Sequence, residues 1–95
     1  MTKKEISNYL DQSSKELFSI SKQLFDNPEL SLEEENSSAL FKKLLNDNGF
    51  KIHEFKEQEL KYAFYAEYGS GKPVIALLGE YDALPGLSQV AGGIE

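Results

Sequence analysis

The first stretch of the chain places apolar residues at helical spacing. They recur in steps of three, four and seven positions, which brings them onto one face of a helix. Thr2 and Glu5 have the spacing of a capping box at its start. Pro28 ends the pattern, because the residue before a proline is pushed out of the α region. The pattern predicts a helix over about residues 3–26, with an apolar face formed by Ile6, Leu10, Leu17, Ile20 and Leu24 and widened by Phe18 and Phe25.

A second helical pattern follows after a short turn. Ser31 and Glu34 have capping-box spacing, and Asn48-Gly49 closes the pattern, with Gly49 free to take the left-handed cap conformation. These signals predict a helix over about residues 32–48. Its apolar face is formed by Leu32, Leu40, Phe41, Leu44 and Leu45.

Beyond Gly49 the pattern changes to that of strands. Residues 50–55 and 62–68 are rich in aromatic and β-forming residues, which predicts two short strands. Val74–Leu78 is an uninterrupted apolar run, typical of a strand covered on both faces, and predicts a third strand over about 73–79. The order helix-helix-strand-strand-strand indicates an α/β fold.

The third predicted strand needs more cover than this sequence supplies. Two helices can cover one face of a three-stranded sheet, and only a polar turn and Ala91-Gly92-Gly93-Ile94-Glu95 follow it. An uncovered apolar face and an open strand edge are aggregation liabilities. We therefore expect residues 1–95 to be one part of a larger domain.

Composition excludes several classes of function. The 95 residues carry a net charge of −6, which argues against a nucleic-acid partner. There is no cysteine and a single histidine, His53, so neither a disulfide framework nor a thiolate zinc site can form. The longest apolar run is far too short to span a membrane, and the first residues do not resemble a signal peptide. We expect a cytoplasmic protein.

The segment after the third predicted strand carries the candidate chemistry. Glu80 and Asp82 are two residues apart, so at strand spacing they point to the same side. Ligand crevices of open α/β sheets lie at the carboxyl ends of strands. A charged strand end followed by the Pro85-Gly86 turn is the alternative, and the residues alone leave both open. Gly69-Ser70-Gly71-Lys72 lacks the spacing of a phosphate loop and is a turn.

Two separated motifs resemble one known family. Residues 78–89, Leu-Gly-Glu-Tyr-Asp-Ala-Leu-Pro-Gly-Leu-Ser-Gln, resemble the segment that enters the active site in the aminoacylase and carboxypeptidase family of metallopeptidases. Residues 27–34, Asn-Pro-Glu-Leu-Ser-Leu-Glu-Glu, resemble that family's early helix–turn–helix signature. The likeness is greatest to p-aminobenzoyl-glutamate hydrolases and related N-acyl-amino-acid amidohydrolases. It implies that residues 1–95 are the N-terminal part of a zinc-peptidase-like α/β/α catalytic domain, about the first quarter of a member.

The resemblance implies a mechanism and a role for one residue. Members hold two divalent metals, zinc or manganese, and hydrolyse an amide with metal-activated water, whose pKa falls toward ~7. By position, Asp82 matches an aspartate that orients a histidine metal ligand. Glu80 falls where many relatives place that histidine; because it is not a histidine here, as in the amidohydrolase branch, the resemblance leaves it as a neighbour of the metals or as a replacement ligand. The metal ligands, the general base and an inserted domain often used for dimerisation would follow Glu95, and this chain alone is expected to bind no cofactor and to be inactive.

Two functions from different classes therefore compete. One is the N-terminal portion of an amidohydrolase that acts on a small amide, a dipeptide or a p-aminobenzoyl-glutamate-like substrate. The other is a non-catalytic module that docks through its open strand edge, where strand addition would pair the free backbone groups. A metal-binding motif encoded beyond Glu95 would favour the first.

Overall fold

The computed structural model describes residues 2–87. Helices and a small sheet both occur, which agrees with the predicted α/β class at that level. In chain order the elements are helix α1 (Lys3–Asp26), helix α2 (Glu35–Asp47), strand β1 (Lys51–Glu54), a short 3-10 helix (Gln58–Leu60) and strand β2 (Phe64–Glu67).

Helix α1 has the predicted bounds but buries little of its predicted face. Its first turn is capped by Thr2, whose hydroxyl oxygen accepts a hydrogen bond from the Glu5 amide at 3.2 Å. Along the apolar face only Ile20 is buried, whereas Ile6 and Leu17 are exposed. The remainder of the described chain thus covers only the C-terminal part of this face, and the expectation of a core-facing stripe along the whole helix is wrong for residues 2–87.

Helix α2 starts three residues later than predicted. Leu32 has φ +70°, a left-handed conformation that cannot continue a helix, and the Leu30 carbonyl accepts from the Glu33 amide at 2.9 Å to close a turn. The N-cap residue is Glu34, whose side chain makes no capping hydrogen bond. The predicted Ser31–Glu34 capping box is therefore wrong, since the turn takes Ser31 out of the helix.

The C-terminal end of α2 follows the prediction. Gly49 has φ +87°, and its amide donates to the Asn46 carbonyl at 3.1 Å. The Phe50 amide donates to the Leu45 carbonyl at 3.0 Å, completing a Schellman motif. The ring of Tyr68 would lie 3.4 Å from a Cβ added at Gly49, so glycine also allows the close approach of this ring.

Strands β1 and β2 form an antiparallel hairpin in which Lys51 pairs with Glu67 and Glu54 pairs with Phe64. Both strands are shorter than the predicted ranges 50–55 and 62–68. Helix α2 packs on β1. Lys42 ties the two together, because its Nζ lies 3.0 Å from Glu54 Oε1 and 5.7 Å from the centroid of the Phe64 ring.

The predicted third strand over 73–79 does not form in the described chain. The sheet there consists of β1 and β2, and the Val74–Leu78 run lies outside it. Leu77 is 96% exposed and Val74 is 85% exposed. A strand needs a hydrogen-bonded neighbour and this run needs cover on both faces, and residues 2–87 provide neither.

The described chain is expanded for its length. Its radius of gyration is 15.5 Å, against about 12 Å for a compact domain of this size. This agrees with the exposed apolar residues of α1 and of Val74–Leu78. Neither helix of the described residues has the length and hydropathy of a membrane span.

Candidate functional site

Tyr81 fixes the segment that contains the two candidate carboxylates. Its side chain is half-buried, while Glu80 and Asp82 on either side are exposed. The Tyr81 ring stacks on Phe41 of α2, with centroids 5.5 Å apart and planes 15° apart. Its hydroxyl donates a hydrogen bond to the Tyr62 carbonyl. The segment is thus attached both to α2 and to the residues before β2.

The residue after Asp82 is attached to the turn between the two helices. The Ala83 amide donates to the Glu29 carbonyl at 2.7 Å, and Leu30 and Ala83 form an isolated parallel bridge. Asp82 therefore lies between two anchored neighbours, Tyr81 and Ala83. The contact also brings together residues 27–34 and residues 78–87, the two motifs singled out in the sequence; Ser88 and Gln89, the end of the second motif, lie outside the described residues.

Glu29 connects this turn to the start of α2. Its Oε1 accepts from the Ser37 amide at 2.6 Å, and its Oε2 accepts from the Asn36 amide at 3.0 Å. These amides belong to the first turn of α2, where backbone donors have no partner within the helix. Glu29 therefore replaces the missing cap of Ser31.

The charge state of Glu29 follows from the same contacts. Partial burial raises the pKa of Glu29, but the hydrogen bonds from Ser37 and Asn36 outweigh it and hold the pKa below the ordinary value of 4.5. The positive end of the helix dipole favours the same ionised form. Glu29 is thus a carboxylate at neutral pH.

The junction of turn, helix and segment contains the tightest burial in the described chain. Ser38 is 1% exposed and Ser37 is 4% exposed, both in the first turn of α2. Phe41, which stacks on Tyr81, lies one turn further along the same helix. The most buried residues of the described chain therefore lie at the start of α2, next to the turn that contacts the Asp82 segment, rather than on helix α1.

A recess opens beside this junction. Its volume is about 240 Å³, and its walls include Leu32, Glu34, Leu60, Lys61 and Tyr62. Ligand pockets are usually roughly 300–1,000 Å³, so this recess holds a small group at most. It borders Tyr62, whose carbonyl accepts the hydrogen bond from Tyr81, and it is chiefly apolar, with two acids, Glu34 and Glu59, and one base, Lys61.

The described residues contain no cluster suited to a metal ion. Within positions 2–87, no group of three or more His, Cys, Asp or Glu side chains is placed to share one ion. Glu80 and Asp82 are exposed and are joined there by no imidazole. His53 lies elsewhere, on β1, stacked on Tyr65 with centroids 4.6 Å apart and with its Nε2 3.6 Å from Glu67 Oε2.

Sequence reasoning missed Glu29 and Tyr81 as structural partners of Asp82. The signal for Tyr81 was present, since a residue between two side chains of an exposed face points to the opposite face. The signal for Glu29 was weaker: an acid just before a helical pattern, like an Asp or Glu near an N-terminus, suits the helix dipole. The Ser31–Glu34 spacing matched a capping box, which does not form here.

The sequence is similar to those of two curated hydrolases. One subunit of the p-aminobenzoyl-glutamate hydrolase of Escherichia coli (strain K12) is 48% identical over 73 residues, covering 77% of this chain and 15% of that protein. The N-acetyl-L-cysteine deacetylase of Bacillus subtilis (strain 168) is 38% identical over 89 residues, covering 90% of this chain and 21% of that protein. The chain thus spans less than a quarter of the length of these relatives.

The sequence matches no protein-family model. It also matches no solved structure. The two relatives nevertheless confirm the resemblance carried by the motifs, and the chain is therefore homologous to a part of the p-aminobenzoyl-glutamate hydrolases and related N-acyl-amino-acid amidohydrolases.

Proposed function

We propose that this chain is the N-terminal part of the catalytic domain of a metal-dependent amidohydrolase with a zinc-peptidase-like α/β/α fold. The complete enzyme would hydrolyse the amide bond of an N-acyl amino acid, a dipeptide or a p-aminobenzoyl-glutamate-like substrate. It would act in the cytoplasm, as a homodimer formed through an inserted domain. The names of the two relatives support the amidohydrolase class.

The observation that carries the proposal is the contact between the two motifs. The Ala83 amide meets the Glu29 carbonyl at 2.7 Å although the motifs are far apart in sequence. Asp82, between the anchored Tyr81 and Ala83, then presents an exposed carboxylate from a fixed backbone. A fixed carboxylate can accept the N–H of an imidazole and so fix its tautomer and orientation, which is the role we assign to Asp82.

The described residues do not form a site for the two divalent metals that the family resemblance implies. Zinc or manganese is therefore part of the proposal for the complete enzyme only, with its ligands outside residues 2–87. The role of this chain is limited to its own groups: Asp82 orients, Glu80 lies nearby, and the junction around Glu29 and Tyr81 holds both.

Full-length variants test the proposal. Asp82→Asn keeps the size of the side chain but removes its charge, so folding is retained while metal content or amide hydrolysis falls by about 10–100-fold. Glu80→Gln has a smaller effect if Glu80 is only a neighbour. The matched control is Asp11→Asn, an exposed aspartate on α1. Hydrolysis of a panel of N-acyl amino acids is measured at saturating metal, with metal content in parallel; wild-type values in Asp82→Asn would refute the role of Asp82.

A non-catalytic docking module is the second candidate, favoured by one observation. Val74–Leu78 is exposed and unpaired within the described residues, and such a run can add to the sheet edge of a partner. This function does not need the Asp82 carboxylate. A full-length protein that hydrolyses none of the amides, yet binds a partner that Leu77→Lys abolishes, would favour the module over the enzyme.

A further inference from the structure

Glu29 is hydrogen-bonded both to the segment that contains Asp82 and to the start of helix α2. Its carbonyl oxygen accepts from the amide of Ala83, the residue next to Asp82, at 2.7 Å. Its carboxylate accepts from the amides of Ser37 and Asn36, at 2.6 and 3.0 Å, in the first turn of α2. One residue thus joins the Asp82 segment to a helix end through its backbone and its side chain together.

The same helix also holds the other side of Asp82. Phe41 of α2 stacks on Tyr81 at 5.5 Å, so Tyr81 and Ala83 are both located relative to α2. A rotation of the turn around Glu29 would move Ala83 while Phe41 kept Tyr81 in place. The Asp82 carboxylate, between them, would change direction.

We propose that Glu29 is a positioning residue for the Asp82 carboxylate. The ionised side chain locks the turn to the N-terminus of α2, and the locked turn fixes the backbone at Ala83. Glu29 touches neither substrate nor metal in this role. The inference rests on the proposed function, because positioning matters to catalysis only if Asp82 serves an amidohydrolase site.

The test compares two variants of the full-length protein. Glu29→Gln keeps the length of the side chain, but its amide nitrogen cannot accept a hydrogen bond, so one of the two bonds to α2 is lost. Glu35→Gln is the matched control, since it removes a charge from the same first turn without contacting the Ala83 segment. Steady-state hydrolysis of N-acyl amino acids and hydrogen exchange of the peptide spanning residues 80–84 are both measured.

The expected result is a fall in kcat of about tenfold or more in Glu29→Gln, because small misplacements of catalytic groups are costly. KM changes far less than kcat, and exchange in residues 80–84 becomes faster. Glu35→Gln leaves kcat and this exchange near the wild-type values. Faster exchange limited to residues 80–84 and to the Asn36 and Ser37 amides, which donate to Glu29, is what a general loss of folded protein would not produce.

Several outcomes would overturn the inference. One is a kcat and an exchange rate of Glu29→Gln equal to those of the wild type. Another is an equal change of both quantities in Glu35→Gln. A third is recovery of the kcat of Glu29→Gln in trimethylamine N-oxide, which stabilises folded proteins in general. Absence of hydrolysis in the wild-type protein would instead refute the proposed function. The exchange measurement would then still decide whether Glu29 holds the Asp82 segment.

Discussion

Tyr81 holds the Asp82 segment through its hydroxyl and its ring, and removing these contacts in turn should speed hydrogen exchange of the segment stepwise. Tyr81→Phe deletes the hydroxyl that donates to the Tyr62 carbonyl but keeps the ring on Phe41. A net hydrogen bond contributes about 0.5–1.5 kcal/mol. Since about 1.4 kcal/mol corresponds to a factor of ten, hydrogen exchange in residues 80–84 should become roughly two- to tenfold faster.

Tyr81→Ala should have a larger effect, because it also deletes the stacking on Phe41 at 5.5 Å. Aromatic pairs add about 0.5–1.5 kcal/mol beyond the area they bury. Burial of the half-exposed ring adds about 1 kcal/mol more. The total of roughly 2–4 kcal/mol predicts exchange at least about 30-fold faster in residues 80–84.

The assay is hydrogen exchange with mass spectrometry on the full-length protein, since exchange reports local opening even when global unfolding is not two-state. Tyr68→Phe is the matched control, because Tyr68 is 72% exposed and contacts Phe50 rather than the segment. Equal exchange in Tyr81→Ala and wild type would contradict the anchoring that we derive from these contacts.

Three further predictions follow from the described contacts. The hydrogen bonds that lower the pKa of Glu29 stabilise the start of α2 fully above pH 4.5. Hydrogen-exchange protection of the first α2 amides should therefore be lost as pH falls through that lowered pKa. In Glu29→Gln this protection should depend on pH much less. Residues 1–95 alone should bind zinc or manganese only weakly, because carboxylates without imidazole make poor zinc sites; one tight stoichiometric site in calorimetric titration would contradict this. Residues 1–95 alone should also self-associate through exposed Val74–Leu78, with Leu77→Lys reducing the effect, and a single monomer boundary at high concentration in sedimentation would show otherwise.

Local signals in the sequence predicted local structure well. The capping residue Thr2 and Pro28 define α1, and Gly49 with Phe50 defines the end of α2, because each acts on hydrogen bonds within a few residues. The start of α2 was mispredicted because its cap comes from Glu29, seven and eight residues before the amides that it accepts from. No local spacing rule contains such a cap.

Non-local structure was predicted less well, for a different reason. The Val74–Leu78 run has the composition of a strand, but a strand forms only beside another strand, and the described chain gives it none. The apolar face of α1 likewise needs a covering layer, which the described chain provides only near Ile20. For the candidate site, the pattern predicted that Glu80 and Asp82 lie on one side but not the contact of Ala83 with Glu29.

The bridge between Leu30 and Ala83 also has a consequence for the order of folding. Helix α2 and the β1–β2 hairpin need only short loops, whereas the bridge closes a loop of roughly 50 residues, which costs more chain entropy. During synthesis the bridge cannot form until Ala83 has left the ribosome, so α2 and the hairpin should form first. Contacts of high sequence separation form late, and the Asp82 segment should therefore be the last part of this region to become ordered.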